Sequence, residues 1–293
     1  MLFEITPLGR YRVGARHVAG LWDIGVDQLE YYPPPSTALG ALATALGIHV
    51  GDNAAEALGC SEVWGPLFKV GDDLYFITDN MLISVKKLGD YVEAARGGRE
   101  NLDLDHVYKF KVVKKPSVSL TDEKTARAYF SPSYVWLVEE TQSGESKPVD
   151  KFSILYYINC DKAKAMRGVA RVGGEGRLAL ISVSEVGYKP KPCKTGVLLS
   201  PLLFRGEGPW AEVEKTYGLQ NVVAIYGRLE GRKRVKFRTR SVYTGLGFSI
   251  ARGERRAIYQ SIPPGTVVEL KDVATHAGLF TTWGYGSLLC HSH

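Results

Sequence analysis

Residues 33–46 read Pro-Pro-Pro-Ser-Thr-Ala-Leu-Gly-Ala-Leu-Ala-Thr-Ala-Leu, and this stretch sets the first helix of the fold. Three prolines break the preceding chain. Pro35-Ser36-Thr37 then offers a helix start, because a fixed proline φ suits the first turn and hydroxyl side chains favour an N-terminus. Leu39, Leu42, Ala43 and Leu46 recur at helical spacing, so one face is buried. Ala38, Gly40, Ala41 and Ala45 are small enough for close packing.

Before the helix, residues 2–8 read as an opening strand, followed by a Gly- and Arg-rich loop over 9–17. After it, strand signals fall at 74–77, 81–86, 106–113, 134–140, 151–158, 178–185, 196–203, 220–227, 233–243, 257–260 and 266–270. The pair 134–140 and 151–158 reads as two strands joined by the polar loop 141–147. A short helix fits 209–216, with Pro209 at its first position. Strands and helices intermingle without regular βαβ spacing, so the expected class is α+β rather than a doubly wound sheet. The 293 residues allow two domains, divided here into 1–165 and 166–293 near the glycines at 173–176.

Composition excludes several classes. No stretch is long and apolar enough for a membrane helix, and the N-terminus lacks a signal-peptide pattern, so a cytoplasmic protein with no membrane partner is expected. The four cysteines, Cys60, Cys160, Cys193 and Cys290, form no C-x-x-C pair, and neither a zinc site nor a disulfide framework is expected. The His291–His293 tail reads as a frayed end. No metal or other cofactor is expected. Five asparagines and four glutamines are few for this length and hint at a thermophilic source.

The formal net charge is +6, and its location is informative. Residues 228–240 hold seven basic side chains and one acid, Glu230; seven minus one equals the excess of the whole chain. As a strand, Arg232, Arg234, Lys236, Arg238 and Arg240 share one face, at roughly 6.6–6.8 Å spacing. Such a row can follow a sugar–phosphate backbone, and an arginine can fork two donors onto one phosphate. The competing reading is a charged edge strand that resists aggregation.

Other candidates are shorter. Arg10, Arg12, Arg16 and His17 interleave with Tyr11, a pattern that can stack on bases and hold phosphates. Ser36 and Thr37 open a helix, whose N-terminus favours a phosphate or is simply capped. Arg171, Gly173, Gly174 and Arg177 frame a turn where a backbone can approach a ligand closely. Trp283-Gly284-Tyr285-Gly286-Ser287 is either a turn between strands or a backbone platform. No metalloprotease, nucleophile-elbow, P-loop or dinucleotide motif occurs. His17 is the one histidine in a basic loop, where it would serve as a general base on a ribose hydroxyl.

Taken in order, these segments resemble the RAMP superfamily of CRISPR-associated proteins, and more narrowly the type III-B (Cmr) subunit that binds the 5′ tag of the guide RNA (crRNA). The matching pieces are Thr6-Pro7-Leu8, Pro35 to Leu42, Arg171 to Arg177, Leu199 to Phe204, Gly245-Leu246-Gly247-Phe248, Ser261 to Val267, and Gly284-Tyr285-Gly286. The resemblance implies ferredoxin-like, RNA-recognition-type domains with inserted hairpins and loops. It also implies a non-catalytic subunit that contacts the crRNA 5′ tag, the large polymerase-like subunit and the backbone RAMP subunit, and target RNA indirectly. The alternatives are a metal-independent crRNA-processing endoribonuclease of the same superfamily, or a scaffold that binds only protein.

Overall fold

The computed structural model describes residues 1–16, 28–51, 53–97, 107–114, 117–120, 126–130, 133–140, 145–173, 177–185, 189–206, 216–230, 236–246, 248–249 and 254–291. Most of these residues lie in antiparallel strands. The first sheet has ten: β1 (Leu2–Pro7), β2 (Cys60–Val70), β3 (Asp73–Thr78), β4 (Met81–Ser84), β5 (Val107–Lys114), β6 (Ser133–Glu140), β7 (Ser146–Pro148), β8 (Ser153–Cys160), β9 (Met166–Arg171) and β10 (Leu178–Ser184). Their order is β7-β6-β5-β4-β3-β2-β8-β1-β10-β9. The second sheet has five: β11 (Cys193–Leu198), β12 (Val222–Glu230), β13 (Lys236–Arg238), β14 (Val267–Ala274) and β15 (Leu288–Cys290), in the order β13-β12-β14-β11-β15. A three-stranded sheet joins Leu202–Phe204, Ile258–Ile262 and Val242–Gly245.

Among the described residues the α-helices are α1 (Pro35–Ala45), α2 (Ala54–Leu58) and α3 (Leu88–Gly97). Period-2 alternation gives the first sheet two working faces. Phe3 and Ile5 of β1 point with Tyr156 and Ile181 into a core that also takes Leu39 and Leu42 of α1. Each such aliphatic or phenyl side chain, fully buried, contributes roughly 1.5–3 kcal/mol. The opposite face carries Trp64, Leu67, Phe76 and Leu155, which pack on Val197, Leu229, Val267 and Leu289 of the second sheet. Helix α1 thus covers one face of the first sheet, and the second sheet covers the other.

The two sheets share a four-strand order. In the first, β1, β2, β8 and β10 lie side by side as β2-β8-β1-β10 (second, third, first, fourth in chain order), with α1 crossing from β1 to β2. In the second, β11, β12, β14 and β15 repeat that order.

Several expectations are corrected here. The division at 165/166 falls inside the first sheet, because β9 and β10 extend it beyond β1. The chain passes to the second sheet between Ser184 and Cys193. The strands at 134–140 and 151–158 are not a hairpin: β6 pairs with β5 and β7, whereas β8 pairs with β1 and β2. The run 233–243 is not one strand, since β13 pairs with β12 and Val242–Gly245 pairs with Ile258–Ile262. The helix expected at 209–216 lies almost wholly outside the described residues. The cysteines are paired: Cys60–Cys160 joins β2 to β8, and Cys193–Cys290 joins β11 to β15. Partners 100 and 97 residues apart in sequence meet only through strand pairing, which spacing motifs cannot show.

Candidate nucleic-acid interface

Strand β6 organises the first basic region. Val135 and Leu137 point into the core, so Tyr134 and Trp136 point away from it. The backbone of Tyr11 pairs with Val135 and brings the 9–13 loop onto this strand. Arg10 is exposed and sits over Trp136, with 4.1 Å between its guanidinium carbon and the ring centroid. Arg177 lies over Tyr134 at 4.5 Å, its Nε buried and without a hydrogen-bond partner. These are cation–π contacts on alternate residues of one strand, so the two guanidinium groups are carried on the same strand face.

The 171–177 turn joins the same region. Gly173 has φ +78, and a Cβ there would lie 2.0 Å from the carbonyl oxygen of Arg12. Only glycine lets this turn close onto the 9–13 loop. Arg171 stands exposed on β9, and Arg12 is half-buried. The structure therefore gathers Arg10, Arg12, Arg171, Gly173 and Arg177, which are dispersed in sequence. Tyr11 is excluded as a base-stacking ring, because it is buried and its hydroxyl donates to the Tyr31 carbonyl. Arg16 ends a strand pairing Val13–Arg16 with Gln28–Glu30. His17 and Gly174 lie outside the described residues.

The second basic region is the β12–β13 hairpin. Phe237 turns inward onto Tyr91, with 5.1 Å between ring centroids. Alternation then puts Lys236 and Arg238 on the opposite face, with Arg238 exposed. Arg232 and Arg234 lie outside the described residues. Arg240 does not continue the row. It turns back to chelate Glu230, with Nε 2.7 Å from one carboxylate oxygen and its terminal nitrogen on the other. Arg228 is 5% exposed and donates to the same carboxylate at 2.6 Å, while also meeting Asp79 at 3.5 Å. Burial pushes the Glu230 carboxyl up, but hydrogen bonds from Arg240 and Arg228 outweigh it and hold the group below the usual carboxylate range. Two of the seven cations in this stretch thus serve a buried ion cluster; Arg228 is closed to solvent, and Arg240 keeps a partly exposed side chain.

Three expected contact residues are covered. Ser36 is buried, and its hydroxyl donates to Leu246 O at 3.1 Å and accepts from the Tyr285 hydroxyl at 3.1 Å. Thr37 follows, half-buried, with its backbone N–H on the Pro34 carbonyl. Gly284 and Gly286 are buried as well. A Cβ at Gly284 would meet Val63 at 2.8 Å and Pro35 at 3.2 Å, and one at Gly286 would lie 1.7 Å from the Ala277 carbonyl oxygen. This glycine loop docks on the start of α1 and binds the two halves of the chain together. Ser36, Gly284 and Gly286 are therefore withdrawn as RNA contacts.

Sequence reasoning missed Tyr134 and Trp136. Their signal was present in Tyr134-Val135-Trp136-Leu137, where aromatic side chains occupy one face of a strand and aliphatic ones the other. Among the described residues no His, Cys, Asp and Glu cluster could hold a metal ion, and no helix is long and apolar enough to cross a membrane.

No family model and no curated protein matches this sequence. Solved structures do match its fold. A chain of the Type III-B Cmr-beta complex bound to cognate target RNA and AMPPnP, in state 1, superposes with a TM-score of 0.60 at 17% identity, covering 92% of this chain and 86% of that one. A chain of the same complex bound to cognate target RNA gives a TM-score of 0.61 at 17% identity, with the same coverage. The fold is thus that of a Cmr complex component, along nearly the whole chain.

Proposed function

We propose that this chain is a non-catalytic RNA-binding subunit of a type III-B CRISPR (Cmr) effector complex, and that it grips the 5′ tag of the crRNA. The observation that carries the reading is the coincidence of a Cmr-type fold over 92% of the chain with arginines gathered from distant segments onto one strand face. The twofold second-third-first-fourth strand order supports ferredoxin-like domains, each with its second helix replaced by shorter structure. Arginine planes held on aromatic rings keep their outer N–H groups ready for phosphates, and an unpaired strand offers both phosphates and stackable bases. Positioning comes from the phosphate contacts, and the tag sequence would be read at its splayed bases.

In the complex the chain would cap the backbone, beside the large polymerase-like subunit and the backbone RAMP subunit. A cytoplasmic chain with two disulfides fits a hyperthermophile, where intracellular disulfides are common, and this agrees with the scarcity of asparagine and glutamine. The test is a binding and cleavage assay on end-labelled crRNA, with and without its tag, in chelator. Retention of intact, tagged RNA supports the reading. Cleaved RNA overturns its non-catalytic part, and equal retention of untagged RNA overturns the tag grip.

A further inference from the structure

Away from the basic regions, a cleft of about 550 Å³ opens between the two sheets. Ser61, Glu62 and Asn159 line it from β2 and β8, and Thr275, His276 and Thr282 line it from the segment after β14. Each wall is covalently clamped. Cys60–Cys160 joins the strand ends that carry Ser61, Glu62 and Asn159, and Cys193–Cys290 secures β11, whose Cys193 pairs with Ala274 beside Thr275. Walls fixed in this way lose little freedom when a ligand enters.

The polar inventory of the walls is one-sided. Asn159 donates its amide N–H to Ser61 Oγ at 2.8 Å, and Ser61 donates its hydroxyl to the Asn159 backbone carbonyl at 3.2 Å. His276 Nε2 lies 2.7 Å from the Val63 carbonyl, which can only accept, so Nε2 carries the proton. Burial lowers the His276 pKa. Thr275 Oγ1 lies 2.9 Å from His276 Nδ1 and 3.4 Å from Glu62 Oε1, so its one hydroxyl proton is shared between these two acceptors. Most donors in the walls are therefore committed to the walls themselves. What remains toward the cleft is acceptor-rich: the Glu62 carboxylate, one oxygen of which takes the long 3.4 Å contact from Thr275, and the Asn159 side-chain oxygen. Among the described lining residues there is no lysine or arginine, and Lys162 donates its ammonium to the Ala57 carbonyl at 2.7 Å.

We infer that this cleft receives an arginine side chain from a partner polypeptide. A guanidinium has five donors and no acceptor, and its fork matches a carboxylate. A phosphate would meet the Glu62 charge with no cation among the described lining residues to offset it, which favours a cationic ligand over RNA. This inference does not rest on the RNA reading.

The test is an NMR titration of the full chain with the capped tripeptide acetyl-Gly-Arg-Gly-amide. The expected result is shifts confined to residues 61–62, 159, 275–276 and 282. Replacing arginine by citrulline, which is neutral and of similar shape, should weaken binding at least ten-fold, as should Glu62→Gln in the protein. Thr282 is exposed, so Thr282→Trp fills the mouth without disturbing the core and should abolish the shifts at an unchanged melting temperature. Equal binding of the citrulline peptide, absence of shifts at the cleft, or the same shifts with uridine monophosphate would each overturn the proposal. Tighter binding of free L-arginine or spermidine than of the tripeptide would overturn the assignment to a polypeptide side chain.

Discussion

Tyr91 fastens α3 to the second sheet, and removing its hydroxyl should loosen the whole chain. The side chain is fully buried. Its hydroxyl lies 2.8 Å from the Gly265 carbonyl and 3.0 Å from Thr78 Oγ1, and it accepts the Leu229 backbone N–H at 3.0 Å. Thr78 Oγ1 in turn donates to the Leu229 carbonyl at 2.9 Å. Tyr91→Phe keeps the ring contacts with Phe76 and Phe237, at 5.0 and 5.1 Å, and deletes only the polar link. A buried N–H and a buried carbonyl each lose this partner, at about 1–3 kcal/mol per group. The expected loss is about 3 kcal/mol, or roughly 6–12 °C in melting temperature for a chain of this size. Thermal unfolding followed by near-UV circular dichroism measures it. The control is Tyr243→Phe, at an exposed ring, with an expected change within about 0.5 kcal/mol. A Tyr91→Phe loss no larger than the control's would refute the assignment of Tyr91 as a polar link between the halves.

Three further outcomes are expected. Gly286→Ala places a Cβ 1.7 Å from the Ala277 carbonyl oxygen at φ +66, so it should unfold or severely destabilise the chain, whereas Gly40→Ala, where a Cβ meets nothing within 4 Å, should be neutral or stabilising; melting curves distinguish them. Glu230 titrates below the ordinary carboxylate range in the fold, so its stabilising contribution is present above its unfolded pKa near 4.3 and is lost as pH falls through the lower folded value; Glu230→Gln should flatten that part of an acid-unfolding curve while lowering stability at neutral pH. Reducing both disulfides, which close loops of about 100 residues, should lower stability by about 3–5 kcal/mol per bridge, measured by denaturant unfolding with and without reductant.

Local pattern made α1, β1, β3, β6, β8 and β10 legible, because each buries one periodic face that its own residues declare. It did not reveal β2, which contains Gly65-Pro66, a pair unfavourable inside a strand. The structure accommodates that pair as a bulge: Leu155 pairs with Leu67 and Tyr157 with Trp64, so two residues oppose one, and a Cβ at Gly65 would lie 2.8 Å from the Leu155 carbonyl oxygen. Sheet order, both disulfides and the β6 platform depend on contacts between distant segments, which no short window contains. The basic strip shows the same limit from the other side. Its charge was visible, but the recruitment of Arg228 and Arg240 to Glu230 is a tertiary event that alternation along one strand cannot express.

The central claim is that arginines collected from separate segments hold RNA by its phosphates, and salt dependence tests it most directly. Affinity of the full chain for tagged crRNA would be measured from low to moderate salt, for the natural sequence and for Arg10→Ala/Arg171→Ala/Arg238→Ala. All three side chains are exposed, so the variant should fold normally. Each lost phosphate contact should reduce the slope of log K against log salt by about 0.7, so the triple variant should bind more weakly with a slope shallower by about 2. An unchanged slope and affinity would contradict the account and move the RNA away from these arginines.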